Sequence, residues 1–190
     1  LARYRPAHQW SAEIASGFDQ LYGVAVTPGG AAVFAELGRG RVLSAAGGKV
    51  ETLATGLRQP SGVAVDGDGT VYVSESGGGL IVRISQGKAE TMLDGLRQPQ
   101  GLVQRDGMLF VVDAGSQELI RFDLVRKTRT TLAAGLPVGA PPGVVPKPLA
   151  AIGVLSGPMG PFAGLAAGAD GTLYLSADGE GSVMALRPPR

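Results

Sequence analysis

The chain has 190 residues, 17 Lys plus Arg against 16 Asp plus Glu, 44% hydrophobic residues and no cysteine. A formal net charge of +1 leaves no basic excess to drive sequence-independent contact with phosphates, so no nucleic-acid partner is expected. Without cysteine there is no disulfide framework, thiolate metal site or Cys nucleophile, and the single histidine, His8, excludes a multi-His metal site.

The chain begins at Leu1 rather than Met and shows no apolar leader, which reads as a processed product or a piece of something longer. The first segment, His8 to Gly17 (HQWSAEIASG), is a strand, and from Leu21 onward the chain repeats itself. Four segments superimpose: Leu21 to Ser44 (LYGVAVTPGGAAVFAELGRGRVLS), Ser61 to Ser85 (SGVAVDGDGTVYVSESGGGLIVRIS), Gln100 to Phe122 (QGLVQRDGMLFVVDAGSQELIRF) and Ala163 to Leu186 (AGLAAGADGTLYLSADGEGSVMAL). Anchored on Gly23, Gly62, Gly101 and Gly164, the spacings are about 39, 39 and 63 residues, the range of a propeller blade of four strands. Within a unit a GVAV-like strand leads through a Gly-containing turn to VYVS, LFVV or LYLS. A Gly/Ser-rich bend precedes a third strand, and KVETLATG, KAETMLDG or RTTLAAG forms the fourth. The predicted class is all-β: a propeller of about four four-stranded antiparallel blades at 21–56, 60–95, 99–135 and 162–187. Only Thr130 to Gly135 carries any helical periodicity.

Residues His8 to Gly17 align with the fourth strand of a unit, while the last unit stops after its third strand. Two arrangements stay open: the N-terminal strand closes a four-bladed ring, or the chain is part of a larger ring of about six blades, with further chain or blades completing it. The long last spacing holds an insert, Pro137 to Pro161 (PVGAPPGVVPKPLAAIGVLSGPMGP), too short for another blade and placed where a lid or docking arm would sit. Its surroundings, Arg129 to Asp170, carry only Lys147 between the ends, but Pro and Gly interrupt them throughout, so no membrane insertion is expected.

The phrases PSGVAVDGDGTVYVSESGGGLIVRIS and GLVQRDGMLFVVDAGSQELIRFDL resemble NHL repeats and the blades of the gluconolactonase and regucalcin-like propellers. The resemblance covers nearly the whole chain apart from the insert, and it implies a fold more sharply than a function. Lactonase-type members hold a divalent cation, often calcium, on acidic and amide side chains just before the first-strand Gly. Here those positions are Tyr22, Ser61, Gln100 and Ala163; none is a carboxylate, and only Gln100 offers a neutral oxygen ligand. Related lyases lean on histidines, and His8 reads as an exposed strand residue. No catalytic residue and no metal ligand is therefore assigned.

In a propeller, the bends between second and third strands share a face with the connections between blades. The bends carry Glu36, Glu75, Asp113 and, shifted by one, Asp178, a density of carboxylates suited to a hard cation or a basic partner, or to satisfying backbone donors in Gly-rich bends. The connections read GLRQP twice and place Arg58 and Arg97 on that face, either as interblade salt bridges or as a clamp for an anionic ligand. Tyr22 holds the equivalent place in the first unit, and Tyr72 and Tyr174 read as packing residues, as does Trp10 where the ring closes. Ser44, Ser74, Ser76 and Ser176 lack a nucleophile's context, and Gly77 to Gly79 lacks the following helix of a phosphate loop. The leading expectation is a module that binds a protein partner or a small anionic ligand on its loop-rich face. The alternatives are a metal-dependent lactone or ester hydrolase and the extracytoplasmic sensor domain of a larger receptor.

Overall fold

The computed structural model describes residues 1–140 and 162–187, Arg5 and Trp10 by their backbone alone. Most of the predicted insert, residues 141–161, thus lies outside the described residues, as does the packing of Trp10.

Strands β1 (Ala2–Arg5) and β2 (Trp10–Glu13) form a hairpin around one 3-10 turn, Pro6–His8, so His8 stands exposed in a turn rather than in a strand. Blade 1 consists of β3 (Leu21–Val26), β4 (Ala32–Glu36), β5 (Arg41–Ala46) and β6 (Lys49–Ala54). Blade 2 holds β7 (Pro60–Val65), β8 (Val71–Glu75), β9 (Leu80–Ser85) and β10 (Lys88–Leu93). Blade 3 holds β11 (Pro99–Arg105), β12 (Met108–Asp113), β13 (Glu118–Asp123) and β14 (Arg129–Ala134). Blade 4 has β15 (Leu165–Ala167), β16 (Leu173–Ala177) and β17 (Ser182–Leu186). Each blade is an antiparallel meander in chain order, four-stranded in blades 1 to 3 and three-stranded in blade 4 among the described residues. The helical hint at Thr130 to Gly135 yields to β14, which pairs with β13 from Phe122↔Arg129 to Glu118↔Ala134. Hairpins close where the sequence supplies left-handed residues. Ala46 pairs with Lys49 across Gly47 and Gly48, whose φ values of 56° and 78° suit a two-residue turn that follows the strand twist.

Alternation decides the packing. One face of each sheet is aliphatic and meets the opposite face of the next: Val33, Ala35, Val42 and Leu57 of blade 1 and its connection pack on Val63, Val71, Val73 and Val82 of blade 2. Ala64, Tyr72 and Ile81 of blade 2 meet Leu109, Val111 and Ile120 of blade 3. Val112, Leu119 and Leu136 meet Leu173 and Leu175. At roughly 1.5–3 kcal/mol per fully buried aliphatic side chain, these three layers hold the molecule together. The inner strands neighbour one another in the same sequence, β3 on β7, β7 on β11 and β11 on β15. There the repeated glycines have their reason. A Cβ on Gly23, Gly62 or Gly101 would overlap the main-chain carbonyl of Ser61, Gln100 or Ala163 in the next blade. Each of these glycines also lies within a register shift of its strand.

The ends depart from one of the two expected arrangements. Strand β2 pairs with β1, not with β17. The Leu1 ammonium donates to the Ala15 carbonyl at 2.8 Å, and Leu1, Ile14 and Phe18 pack on Phe34, Leu43 and Ala45 of blade 1. A short hairpin costs less closure entropy than a strand that must cross to the far end of the chain. Blade 4 consequently keeps an uncovered face. Tyr174 is 43% and Val183 73% exposed, where their counterparts Tyr72 and Ile81 in blade 2 are 5% and 0% exposed. The expectation that Tyr174 packs like Tyr72 therefore fails, because no sheet follows blade 4 among the described residues. No helix among them is long and apolar enough to cross a membrane.

Candidate functional site

The loop-rich face is built by one device used four times. Each second strand ends in, or just before, an acid that accepts a main-chain N–H from the connection running into its own blade. Glu36 accepts from Asp19 at 2.7 Å and Glu75 from Arg58 at 2.7 Å. Asp113 accepts from Arg97 at 2.9 Å and from Gln98 at 2.7 Å, and Asp178 accepts from Gly139 at 2.9 Å. The bend returns the contact. Gly38, Gly77 and Gly179 donate to the carbonyls of Asp19, Arg58 and Pro137, and Leu37, Ser76 and Ala114 donate to those of Gln20, Gln59 and Gln98. Glu36, Glu75 and Asp113 are buried in this work. These carboxylates satisfy backbone donors, the second of the two roles their sequence positions suggested.

Glu36 also takes the guanidinium of Arg41 in a close ion pair, with Arg39 at 3.6 Å. Burial pushes its carboxyl up, but the hydrogen bonds from Arg41 and the Asp19 N–H and the charges of Arg41 and Arg39 outweigh burial and leave it below the usual carboxylate range.

Arg58 and Arg97 have the opposite disposition. Their N–H groups serve the clamp while their side chains are exposed, and neither guanidinium has an acid partner among the described residues. Of the two readings of these arginines, the interblade salt bridge is not made among the described residues, because the acids that would receive them are turned inward. Gln59, Gln98 and half-exposed Arg39 stand on the same face, and sequence reasoning passed over all three. Their repeat positions, inside each GLRQP or in the bend after Glu36, were the available signal.

Tyr22 and Gln100 lie toward the axis. The Tyr22 ring in β3 meets Phe162, which precedes β15, edge-on with centroids 5.5 Å apart. Gln100 is buried, and its Oε1 accepts the Ala163 N–H at 2.7 Å. Ser61 Oγ lies 2.7 Å from Ser76 Oγ and donates toward the Pro99 carbonyl at 3.3 Å. The four inner positions therefore offer no carboxylate, and their one amide oxygen is already bonded to the protein. That donor set does not fit a calcium ion, which takes six to eight oxygens. No group of three or more His, Asp or Glu side chains able to hold a metal occurs among the described residues.

Meander sheets stacked face to face through their inner strands define a β-propeller. Residues 57–84, which run from the blade 1 connection into β9, match the family model of the NHL repeat, so the molecule is a propeller carrying an NHL repeat. No curated protein matches the sequence. Among solved structures, virginiamycin B lyase from Staphylococcus aureus is similar at 16% identity and a TM-score of 0.66, over 98% of this chain and 62% of the lyase. The gluconolactonase XC5397 from Xanthomonas campestris is similar at 21% identity and a TM-score of 0.61, over 90% of this chain and 76% of that one. A chain of the nidogen/laminin complex is similar at 18% identity and a TM-score of 0.60, over 88% of this chain and 65% of that one. The chain spans about three fifths of the lyase's length, and at these identities the likeness is one of fold.

Proposed function

We propose that the chain is a binding module that takes an anionic ligand, or an acidic patch on a protein partner, on its loop-rich face. The observation that carries this reading is the segregation of charge at the clamp. Carboxylates of Glu36, Glu75 and Asp113 are spent inward on main-chain donors, while guanidiniums of Arg58 and Arg97 are left outward without partners. At blades 2 and 3 the face thereby displays guanidiniums, and Arg offers carboxylates a rigid fork of donors. Among similar folds, two belong to proteins named as a lyase and a gluconolactonase and one to a protein complex, so the fold alone favours neither chemistry nor docking. The inner positions speak for docking, since they hold no carboxylate for a lactonase-type cation.

A fluorescein-labelled hexaglutamate peptide is the probe, with affinity read by anisotropy at low salt. Replacing both Arg58 and Arg97 with Ala should weaken binding tenfold or more and leave the melting temperature unchanged. Equal affinity in the double variant would overturn the reading.

A further inference from the structure

We infer that the cleft between blades 3 and 4 is a second binding site, separate from the loop-rich face, for a small amphipathic carboxylate: an aliphatic or aromatic acid with an apolar tail. The cleft encloses about 550 Å³ at the end of the blades away from the clamps. That volume suits a small ligand. Its walls are Phe110, Leu119 and Leu132 of blade 3 and Leu173 and Leu186 of blade 4, and Arg105, Arg121 and Arg187 stand around them.

The repeat supplies an internal comparison. Between blades 1 and 2 the equivalent cleft has about 390 Å³, and Thr27 and Ser44 occupy the positions of Arg105 and Arg121. That cleft has no charged residue in its lining. In blade 2 the same third-strand position is Arg83, which faces Glu90 across the β9–β10 pair and bonds it at 2.6 Å. In blade 3, Arg121 faces Thr130, so its guanidinium has no acid partner among the described residues. Arg187, just beyond β17, is exposed as well. Arg105 is differently placed: it spends its donors on Asp106 at 3.2 Å and on the carbonyls of Gly168 and Ala169 at 2.6 and 3.1 Å, and so joins the two blades. Asp106 is thereby neutralised at the rim. Arg187 at the mouth lies within charge range of Asp170, so the unpaired guanidinium that this apolar cleft offers is that of Arg121 at its wall, complementary to one carboxylate on an apolar body. A neutral apolar molecule would leave that charge unanswered, and a cation would be repelled.

Isothermal titration calorimetry with decanoate tests the site, with decanol and decyltrimethylammonium as head-group controls. Decanoate should bind one per chain, both controls at least tenfold more weakly. Arg121→Ala should weaken decanoate at least tenfold, and Phe110→Ala should weaken it through the tail. Arg121 is exposed, so its removal leaves folding intact; Arg83→Ala reports any general effect of losing a third-strand arginine and should leave affinity unchanged. Decanol binding as tightly as decanoate, or full affinity in Arg121→Ala, overturns the proposal. The Arg58/Arg97 double variant should bind decanoate normally, so the two sites fail or stand separately, and a joint loss would overturn their separation.

Discussion

A carboxylate's direction depends on which donors are nearest, and Glu36 has the Asp19 N–H and the Arg41 and Arg39 guanidiniums within reach. Because its folded value is lowered, its charge stabilises the fold above the unfolded carboxylate range, and that contribution is lost as pH falls through the lowered value. Glu36→Ala should destabilise by about 2 kcal/mol at neutral pH, since the N–H of Asp19 and the Arg41 guanidinium lose their acceptor. Urea denaturation measures this, and a loss near zero would mean that water replaces the carboxylate. The turn Asp66 to Thr70 carries a second titration. Hydrogen bonds from the Asp66 side chain and from Thr70 hold Asp68 at about 2, whereas burial, with the bond and charge of Asp68, raises Asp66. The signs oppose: Asp68 adds stability that vanishes as pH falls toward about 2, while Asp66, raised, favours the fold at low pH and weighs against it above. Asp66→Asn keeps the acceptor for the N–H groups of Asp68 and Thr70, so its stability relative to the parent should grow from about pH 3 to about pH 6. A shrinking difference in urea melts would reverse the assignment. The acids themselves were legible as one per repeat. Their inward direction was not, because the donors they meet are main-chain groups that every sequence possesses.

At the scale of the element, the first-strand glycines give the sharpest test. Gly62→Ala places a methyl on the Gln100 carbonyl, and overpacking of this kind costs about 1–3 kcal/mol. Gly164 is the same residue in the same motif, but its nearest neighbour to an added methyl is Ser176 Oγ at 3.4 Å, within its own blade. Gly164→Ala should therefore change stability by less than about 0.5 kcal/mol. Thermal melts of the two variants decide whether inner-strand contact is the reason for the repeat glycine; equal losses would say that it is not. The strands were legible from alternation and turn residues, down to the fourth strands KVETLA and KAETML. Thr130 to Gly135 misled because six residues are too few to separate the periods, and pairing with β13 settled the matter. Arg121 was legible in principle, since aligning the repeats sets Thr130 where blade 2 has Glu90. Nothing else in the third strand marks it, because a lone arginine on an alternating strand reads as part of a solvated face.

For the whole molecule, stability should fall toward blade 4, which has three strands and one bare face among the described residues. Hydrogen exchange should reach the amides of β16 and β17 before those of β8 and β12, which are covered on both sides; the reverse order would mean that another surface covers blade 4. Number and order of blades were legible in the spacing of the repeats. The partner of the N-terminal strand was not, since a fourth-strand pattern says which face is apolar and nothing about which edge it will find. The clamp has a larger meaning for what such a face displays. Only the backbone of the connection is gripped, so the residue carrying the gripped group is Asp19 in one blade, Arg58 and Arg97 in two others, and Pro137 alongside Gly139 in the last. Each connection is a socket that holds main chain, so the side chains it displays differ from blade to blade while the fold stays the same.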